Sequence, residues 1–255
     1  MNAFLKPRRH PHIIAHRGAS ADCPENSLSA FREALRQKAD AIELDVQLTA
    51  DQQLIVWHDP WTQRTSNGKG LVRQKKLQEL LKLDVGSWFN PRFKNEHPAT
   101  LEHVLDEFGT TTNYVIELKF YQLFSKRFVR QVYQAVESRG LLDQVLFLSF
   151  DIRLLRAIKK YNPKSAVAWA FFPLAGLLPP KWLAAQCDVL ALASDKADAH
   201  YIARLRHLGK LINIWTGAGR PENYQAEIGS GADFITTNHP RKLREAQNHA
   251  KQTAH

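Results

Sequence analysis

Short apolar segments alternating with stretches of helical periodicity set the tightest limit on what this chain can fold into. Residues 13–15 form a short buried strand, and residues 27–38 a helix with Leu28, Phe31, Ala34 and Leu35 on its apolar face. Residues 41–48 form a strand whose Glu43 and Asp45 share one side by the period of two. Residues 53–57 read as another strand. The stretch 60–98, rich in turn residues such as Asn67-Gly68 and Asn90-Pro91, reads as an insertion with a short helix near 76–81. Regular alternation then resumes, with helices at 101–108, 125–139 and 152–161 and strands at 114–118, 145–149, 166–170, 189–192, 211–215 and 234–236. Such alternation implies parallel strands joined by crossover helices. With 53–57 set aside in the insertion, about eight strands remain, which predicts a closed (β/α)₈ TIM barrel with a small insertion after the second strand. A length of 255 residues suits one such domain spanning 1–255. No Gly-x-Gly-x-x-Gly follows the first strand, which argues against a dinucleotide fold.

In a parallel barrel, chemistry gathers at the carboxyl ends of the strands. After the first strand comes His16-Arg17-Gly18. The second carries Glu43 and Asp45, its extension ends in His58-Asp59, and the next barrel strand ends in Glu117-x-Lys119. Taken singly, each has an ordinary structural use as a hydrogen-bonder, salt-bridge partner or turn. Together at one rim they suit a divalent metal carrying a phosphate, because acids hold a hard cation and bases neutralise phosphoryl oxygens.

The balance of 35 Lys and Arg against 25 Asp and Glu gives a net charge of +10. That field would attract anionic substrates or a membrane surface. The basic residues are dispersed in small groups such as Arg73–Lys76 and Arg241–Arg244, without the long like-charge run of a nucleic-acid arm, so no nucleic acid is expected. No stretch approaches the roughly 20 apolar residues that span a bilayer, and the first residues carry no secretory apolar region. Two distant cysteines, Cys23 and Cys187, argue against a disulfide scaffold or a cysteine zinc site. A cytoplasmic location follows as the expectation.

Ile14-Ala15-His16-Arg17-Gly18 followed by Pro24-Glu25-Asn26-Ser27 resembles the opening signature of the glycerophosphodiester phosphodiesterases. Ile42-Glu43-Leu44-Asp45-Val46, Trp57-His58-Asp59, the run from Arg64 to Gly70, Gly86-Ser87-Trp88-Phe89, the run from Pro98 to Leu105 and Ile116-Glu117-Leu118-Lys119 continue the likeness in the same order. The match covers most of residues 13–120. The resemblance implies that Glu43, Asp45 and Glu117 bind Mg²⁺ or Ca²⁺, that His16 and His58 serve as general acid and base, and that Arg17 and Lys119 hold the phosphate. The implied reaction releases glycerol 3-phosphate and an alcohol from a soluble diester, through attack by a neighbouring substrate hydroxyl. A monomer or homodimer is expected.

Among nearby residues, Pro24-Glu25-Asn26-Ser27 reads as a turn and helix entry with Asn26 as N-cap, and Asp59 as an orienting or turn residue. Phe150 and Trp215, at later strand ends, are candidates for the alcohol-side pocket. The loop 174–180, with Leu177-Leu178-Pro179-Pro180, reads as ordinary packing that could also touch lipid. In the second half the likeness is confined to Leu148-Ser149-Phe150, Ile214-Trp215-Thr216 and the run from Ile235 to Pro240. The family usually has Thr-Asp where this chain has Thr237-Asn238, and a Val-Asn type pair where it has Gly217-Ala218-Gly219. These departures bear on how substrate is held. Two alternatives stand beside this reading: a lysophospholipase D or other lipid phosphodiesterase of the same superfamily, and a non-catalytic basic barrel that binds nucleic acid or lipid, with binding that falls steeply with salt.

Overall fold

Strand and helix alternate as the periodicity predicts, and the strands close on themselves. The computed structural model describes residues 3–6, 8–119, 125–173, 176–216 and 223–252. In chain order the first half runs β1 (His12–Ala15), α1 (Leu28–Arg36), β2 (Ala41–Leu48), β3 (Leu54–Val56), α2 (Leu77–Leu80), α3 (Leu101–Phe108), β4 (Asn113–Leu118) and α4 (Lys126–Glu137). The second half runs β5 (Val145–Ser149), α5 (Ile152–Tyr161), β6 (Ala166–Ala170), α6 (Lys181–Ala184), β7 (Val189–Ala193), α7 (Ala199–Arg206), β8 (Leu211–Trp215), α8 (Tyr224–Gly229), β9 (Phe234–Thr237) and α9 (Pro240–Gln252).

Parallel pairing runs β1-β9-β8-β7-β6-β5-β4-β2, and β2 pairs back onto β1 through Ile14 with Ala41 and Ala15 with Ile42. Eight parallel strands thus form a closed (β/α)₈ barrel. The remaining strand, β3, lies antiparallel on β2, with Val46 opposite Val56 and Leu48 opposite Leu54. This return carries the chain back to the rim, where the Trp57 N–H donates to the Asp45 carbonyl at 2.9 Å. The insertion beyond it builds a small apolar cluster of its own from Ile55, Trp57, Val72, Leu80 and Val85.

The period of two divides the strand side chains between two cores. Ile42, Leu44, Val46, Ile116, Leu118, Phe147 and Leu190 pack against Phe31, Val104, Val132, Leu155 and Ile202 of the helices. The alternate set, including Ile14, Ala41, Val115, Leu146, Ala168, Val189, Ala191 and Phe234, fills the barrel. Phe4 closes the lower end, its ring 5.1 Å from His12 and 5.2 Å from Phe234. Helix entries are capped by side chains that accept from the first turn: Ser27, Thr100, Ser125, Asp151, Asp198 and Asn223. Ser27, not Asn26, caps α1; its Oγ accepts from the Ala30 N–H at 3.1 Å and donates to the Pro24 carbonyl at 2.6 Å. Asn26 stands one residue too early and at φ 57°, a left-handed geometry that turns its amide to another task. Among the described residues, no helix is long and apolar enough to cross a membrane.

Candidate active site

Small inward side chains high in the barrel, Ala168, Ala170 and Ala191, leave its carboxyl end unfilled. A cavity of about 280 Å³ opens there. One wall is polar, with His16, Arg17, Glu43, His58, Glu117 and Lys119. The other is apolar, with Leu148, Phe150, Ala170, Phe172 and Trp215. The loop carrying Gly217-Ala218-Gly219 lies outside the described residues, as do the first two positions of the stretch 174–180.

The polar wall follows from parity and register. Glu43, Asp45 and Gln47 alternate inward along β2, and Asp45 is the direct lateral partner of Glu117 on β4. Carboxylate oxygens of Glu43, Asp45 and Glu117 all lie within 4.8 Å of one another, and all three residues are buried. Lys119 Nζ lies 2.9 Å from Asp45 Oδ1 and 2.7 Å from Glu117 Oε1. The Arg17 backbone N–H donates to Glu43 Oε2 at 2.7 Å, and its Nε lies 3.3 Å from Asp45 Oδ2. Asn26 clamps Asp45 twice: its Nδ2 donates to Oδ2 at 2.7 Å, and its Oδ1 accepts from the Asp45 N–H at 3.2 Å.

These neighbours divide the acids. Burial and the charges of Asp45 and Glu117 push Glu43 well above the usual carboxylate range. Burial raises Glu117 as well, against the pull of Lys119. Burial also pushes on Asp45, but Lys119, His58 and Arg17 outweigh it and hold that group well below its ordinary value. Glu43 Oε1 and Glu117 Oε2 have no hydrogen-bond partner among the described residues. Three hard oxygen donors under mutual repulsion, two with an oxygen to spare, fit a divalent cation of the oxygen-seeking kind.

The turn after β1 is built to aim two side chains at once. Arg17 and Gly18 take positive φ in succession, 55° and 80°. A side chain at Gly18 would meet the backbone and Cβ of Ala30 at 2.6 Å, so α1 packs directly on this turn. His16 Nδ1 bonds Asn238 Oδ1 at 2.8 Å, and Ser20 Oγ donates to the same oxygen at 2.9 Å. Burial and the adjacent Arg17 lower His16 from its ordinary 6.5 to about 3. His58 is supported differently. Its Nδ1 lies 2.6 Å from Asp59 Oδ1, and Asp59 Oδ2 accepts from Arg64 Nε at 2.5 Å. Arg64 then forks onto Glu25 at 2.7 and 2.8 Å, and Glu25 Oε1 accepts from Arg17 at 2.8 Å. This chain of alternating charge joins His58 to Arg17 around the rim. Burial works against ionised Asp59 and Glu25, but the hydrogen bonds from His58 and Arg64 to Asp59, and from Arg64 to Glu25, hold both below their ordinary values.

Eight of the nine residues singled out from the sequence line the cavity: His16, Arg17, Glu43, His58, Glu117, Lys119, Phe150 and Trp215. The ninth, Asp45, is buried beside them under Lys119 and Arg17. Sequence reasoning passed over Gln47, whose Nε2 donates to the carbonyls of Trp57, His58 and Asp59 at 2.8, 3.0 and 2.7 Å. The period of two from Glu43 and Asp45 points to it. It also passed over Arg64, whose partners are distant in sequence, and Phe172, which continues the inward set of β6 and stacks on Phe150 at 5.2 Å. Leu177 is exposed and Leu178 packs on the outer core.

The sequence profile of the Glycerophosphoryl diester phosphodiesterase family matches residues 16–242. A glycerophosphodiester phosphodiesterase of Bacillus subtilis (strain 168) is 36% identical over 252 residues, covering 89% of this chain and 83% of the relative. One from Caldanaerobacter subterraneus subsp. tengcongensis is 32% identical over 234 residues, covering 91% and 95%. The structure of an Oleispira antarctica phosphodiesterase in complex with the product sn-glycerol-3-phosphate superposes with a TM-score of 0.82 at 25% identity, covering 94% of this chain and 97% of that one. The chain therefore belongs to the glycerophosphoryl diester phosphodiesterase family, a family of phosphoric diester hydrolases.

Proposed function

We propose that this protein hydrolyses glycerophosphodiesters to glycerol 3-phosphate and an alcohol, with a divalent cation, Mg²⁺ or Ca²⁺, held by Glu43, Asp45 and Glu117. The observation that carries this reading is a cavity lined by Glu43, Glu117 and two histidines with unlike supports, with Asp45 buried beside them within the same carboxylate cluster. When bound, the cation supplies positive charge to the phosphoryl oxygens and lowers the pKa of the attacking hydroxyl.

The two histidines divide acid from base. An amide oxygen only accepts, so the bond to Asn238 puts the proton on His16 Nδ1 and leaves Nε2 with its lone pair. Partly buried beside Arg17, this ring stays neutral and acts as base. His58, its ring oriented by the Asp59 carboxylate at Nδ1, lines the same cavity and acts as acid. In the first step His16 takes the proton of the substrate hydroxyl next to the phosphodiester. That oxygen bonds to phosphorus, and the leaving alcohol departs with the proton of His58. Water then opens the cyclic phosphate with the roles reversed. Arg17 and Lys119 balance the phosphate charge, and Arg17 is aimed by its fixed backbone and by Glu25. Phe150 and Trp215 receive the alcohol side.

The supporting experiment is release of glycerol 3-phosphate from glycerophosphocholine with Mg²⁺, with Ca²⁺ and with excess EDTA. A second reading, hydrolysis of single-chain lysophospholipids at the same site, is favoured by the apolar wall, which continues through Phe172 to the outer surface. Lysophosphatidylcholine dispersed in detergent tests it. Two buried, unbridged thiols at Cys23 and Cys187 support a reducing, cytoplasmic setting.

A further inference from the structure

Phe172, Leu177 and Trp182 are the three most exposed large hydrophobic side chains among the described residues, at 70%, 61% and 67%. All three fall within one segment, between the end of β6 and the first turn of α6. A segment that follows a barrel strand lies on the rim that holds the active site. Phe172 makes the connection physical. Its ring stacks on Phe150 at 5.2 Å and meets Trp215 edge-on at 6.2 Å, so the apolar wall of the cavity ends in a ring exposed at the surface.

This exposure is built into the fold. Tyr201 Oη donates to the Leu177 carbonyl at 2.7 Å, and Arg204 donates to the Gly176 carbonyl at 3.3 Å. The neighbouring Leu178 turns inward onto the core and Pro179 is buried. The segment thus has anchors of its own, and it still holds Leu177 and Trp182 in water. Single exposed apolar residues need no explanation, but three on one rim segment joined to a catalytic cavity do.

Charge identifies what would cover them. On the rim side the first turns of α5 carry Arg153 and Arg156 and the first residue of α6 is Lys181, whereas Lys159, Lys160 and Lys164 lie at the opposite end of the barrel, ahead of β6. Arg153 is paired with Asp151. Lys181 is exposed and directly precedes Trp182, the arrangement in which an aromatic ring enters a lipid interface and an ammonium meets headgroup phosphate. The whole chain adds a net +10. We propose that the β6–α6 segment, through Phe172, Leu177, Lys181 and Trp182, docks the active-site rim onto the surface of an anionic lipid bilayer.

Co-sedimentation with vesicles of phosphatidylcholine alone, and of phosphatidylcholine mixed with phosphatidylglycerol, tests this. The protein is expected to pellet with the mixed vesicles and to be released by added salt. Leu177→Ser combined with Trp182→Ser should lower partitioning at least about tenfold, the scale of two lost apolar insertions. Lys181→Glu should weaken binding to mixed vesicles alone. Both variants should hydrolyse glycerophosphocholine in solution at the parent rate, which also reports that they are folded. The vesicle assay needs no turnover, so it decides docking whether or not the diester is a substrate. Equal pelleting of the double variant and the parent would overturn the proposal, as would a parent that stays in the supernatant. A concentration-dependent dimer dissolved by the same substitutions, without vesicle binding, would assign the surface to a second copy of the chain and would likewise overturn it.

Discussion

His16 Nδ1 bonds Asn238 Oδ1 at 2.8 Å, joining residues 222 positions apart across the seam where β1 pairs with β9. The partner is an amide, where the likeness to the family leads one to expect a carboxylate. The difference sets the charge of the ring. An amide fixes the tautomer without stabilising the imidazolium, and burial beside Arg17 then keeps His16 neutral. Asn238→Asp should raise the pKa of His16 and move the acidic limb of the kcat/KM profile to higher pH. Asn238→Ala should lower kcat about tenfold or more with little change in KM, because the ring loses its orientation but the phosphate contacts remain. An unchanged pH profile in Asn238→Asp would remove His16 from the role of base.

His16 also leaves a mark on stability. Its folded value, about 3, lies below the ordinary 6.5, so between those pH values the unfolded chain binds a proton that the native chain refuses. Stability from this group is complete above pH 6.5 and is lost as pH falls toward 3. The slope for one such proton is about 1.4 kcal/mol per pH unit. Urea midpoints of the parent and of His16→Asn, compared from pH 7 downward, isolate the group. The parent should lose the larger share of stability.

Glu43 carries the opposite sign. Burial and two like charges raise it, so its ionised form opposes folding at neutral pH when no cation is present. In EDTA, Glu43→Gln should melt at a higher temperature than the parent. Added Mg²⁺ or Ca²⁺ should raise the melting temperature of the parent and leave the variant unmoved. Turnover by the variant should fall by about 10³-fold or more, the loss of several kcal/mol of transition-state stabilisation. A variant that melts lower in EDTA and still responds to metal would contradict the assignment of this residue.

Arg64 ties Asp59 to Glu25, and through them His58 to Arg17. Its removal leaves two largely buried carboxylates facing each other. Arg64→Ala should lower stability by about 1–3 kcal/mol and reduce kcat through a loosened His58. Arg64→Lys should recover little, since an ammonium cannot bond both Asp59 and the two oxygens of Glu25 in this geometry. Denaturation midpoints and kcat for both variants check this together.

Gly18 is required on two grounds: its φ of 80° and the 2.6 Å that separates its absent Cβ from Ala30. Gly18→Ala should destabilise by about 2–4 kcal/mol and also lower activity, because the same turn aims His16 and Arg17. Chemical denaturation and a metal-saturated rate measure the two effects.

Much of this architecture is legible in the sequence because a parallel barrel writes itself in short apolar runs at regular spacing. Strand ends then carry the chemistry: His16-Arg17, Glu43-x-Asp45, His58 and Glu117-x-Lys119 needed only the period of two and the rim rule to be brought together. Contacts set by closure stayed hidden. Asn26 has the composition of an N-cap, and only the left-handed turn at φ 57° frees its amide to clamp Asp45. Arg64 sits 39 residues from Glu25, and nothing local marks that pairing. Gln47 looks like any strand polar residue until the β3 return places three carbonyls on its amide. Phe172 continues the inward parity of β6, but it lies two residues beyond the strand as periodicity draws it.

The most direct test of the central claim is release of glycerol 3-phosphate from glycerophosphocholine by the parent and by His16→Ala, each with Mg²⁺, Ca²⁺ or excess EDTA. The account predicts metal-dependent release by the parent, none in EDTA, and a loss of at least about 10²-fold in His16→Ala with its metal-dependent thermal shift intact. Undiminished release by His16→Ala, or full release by the parent in EDTA, would contradict it.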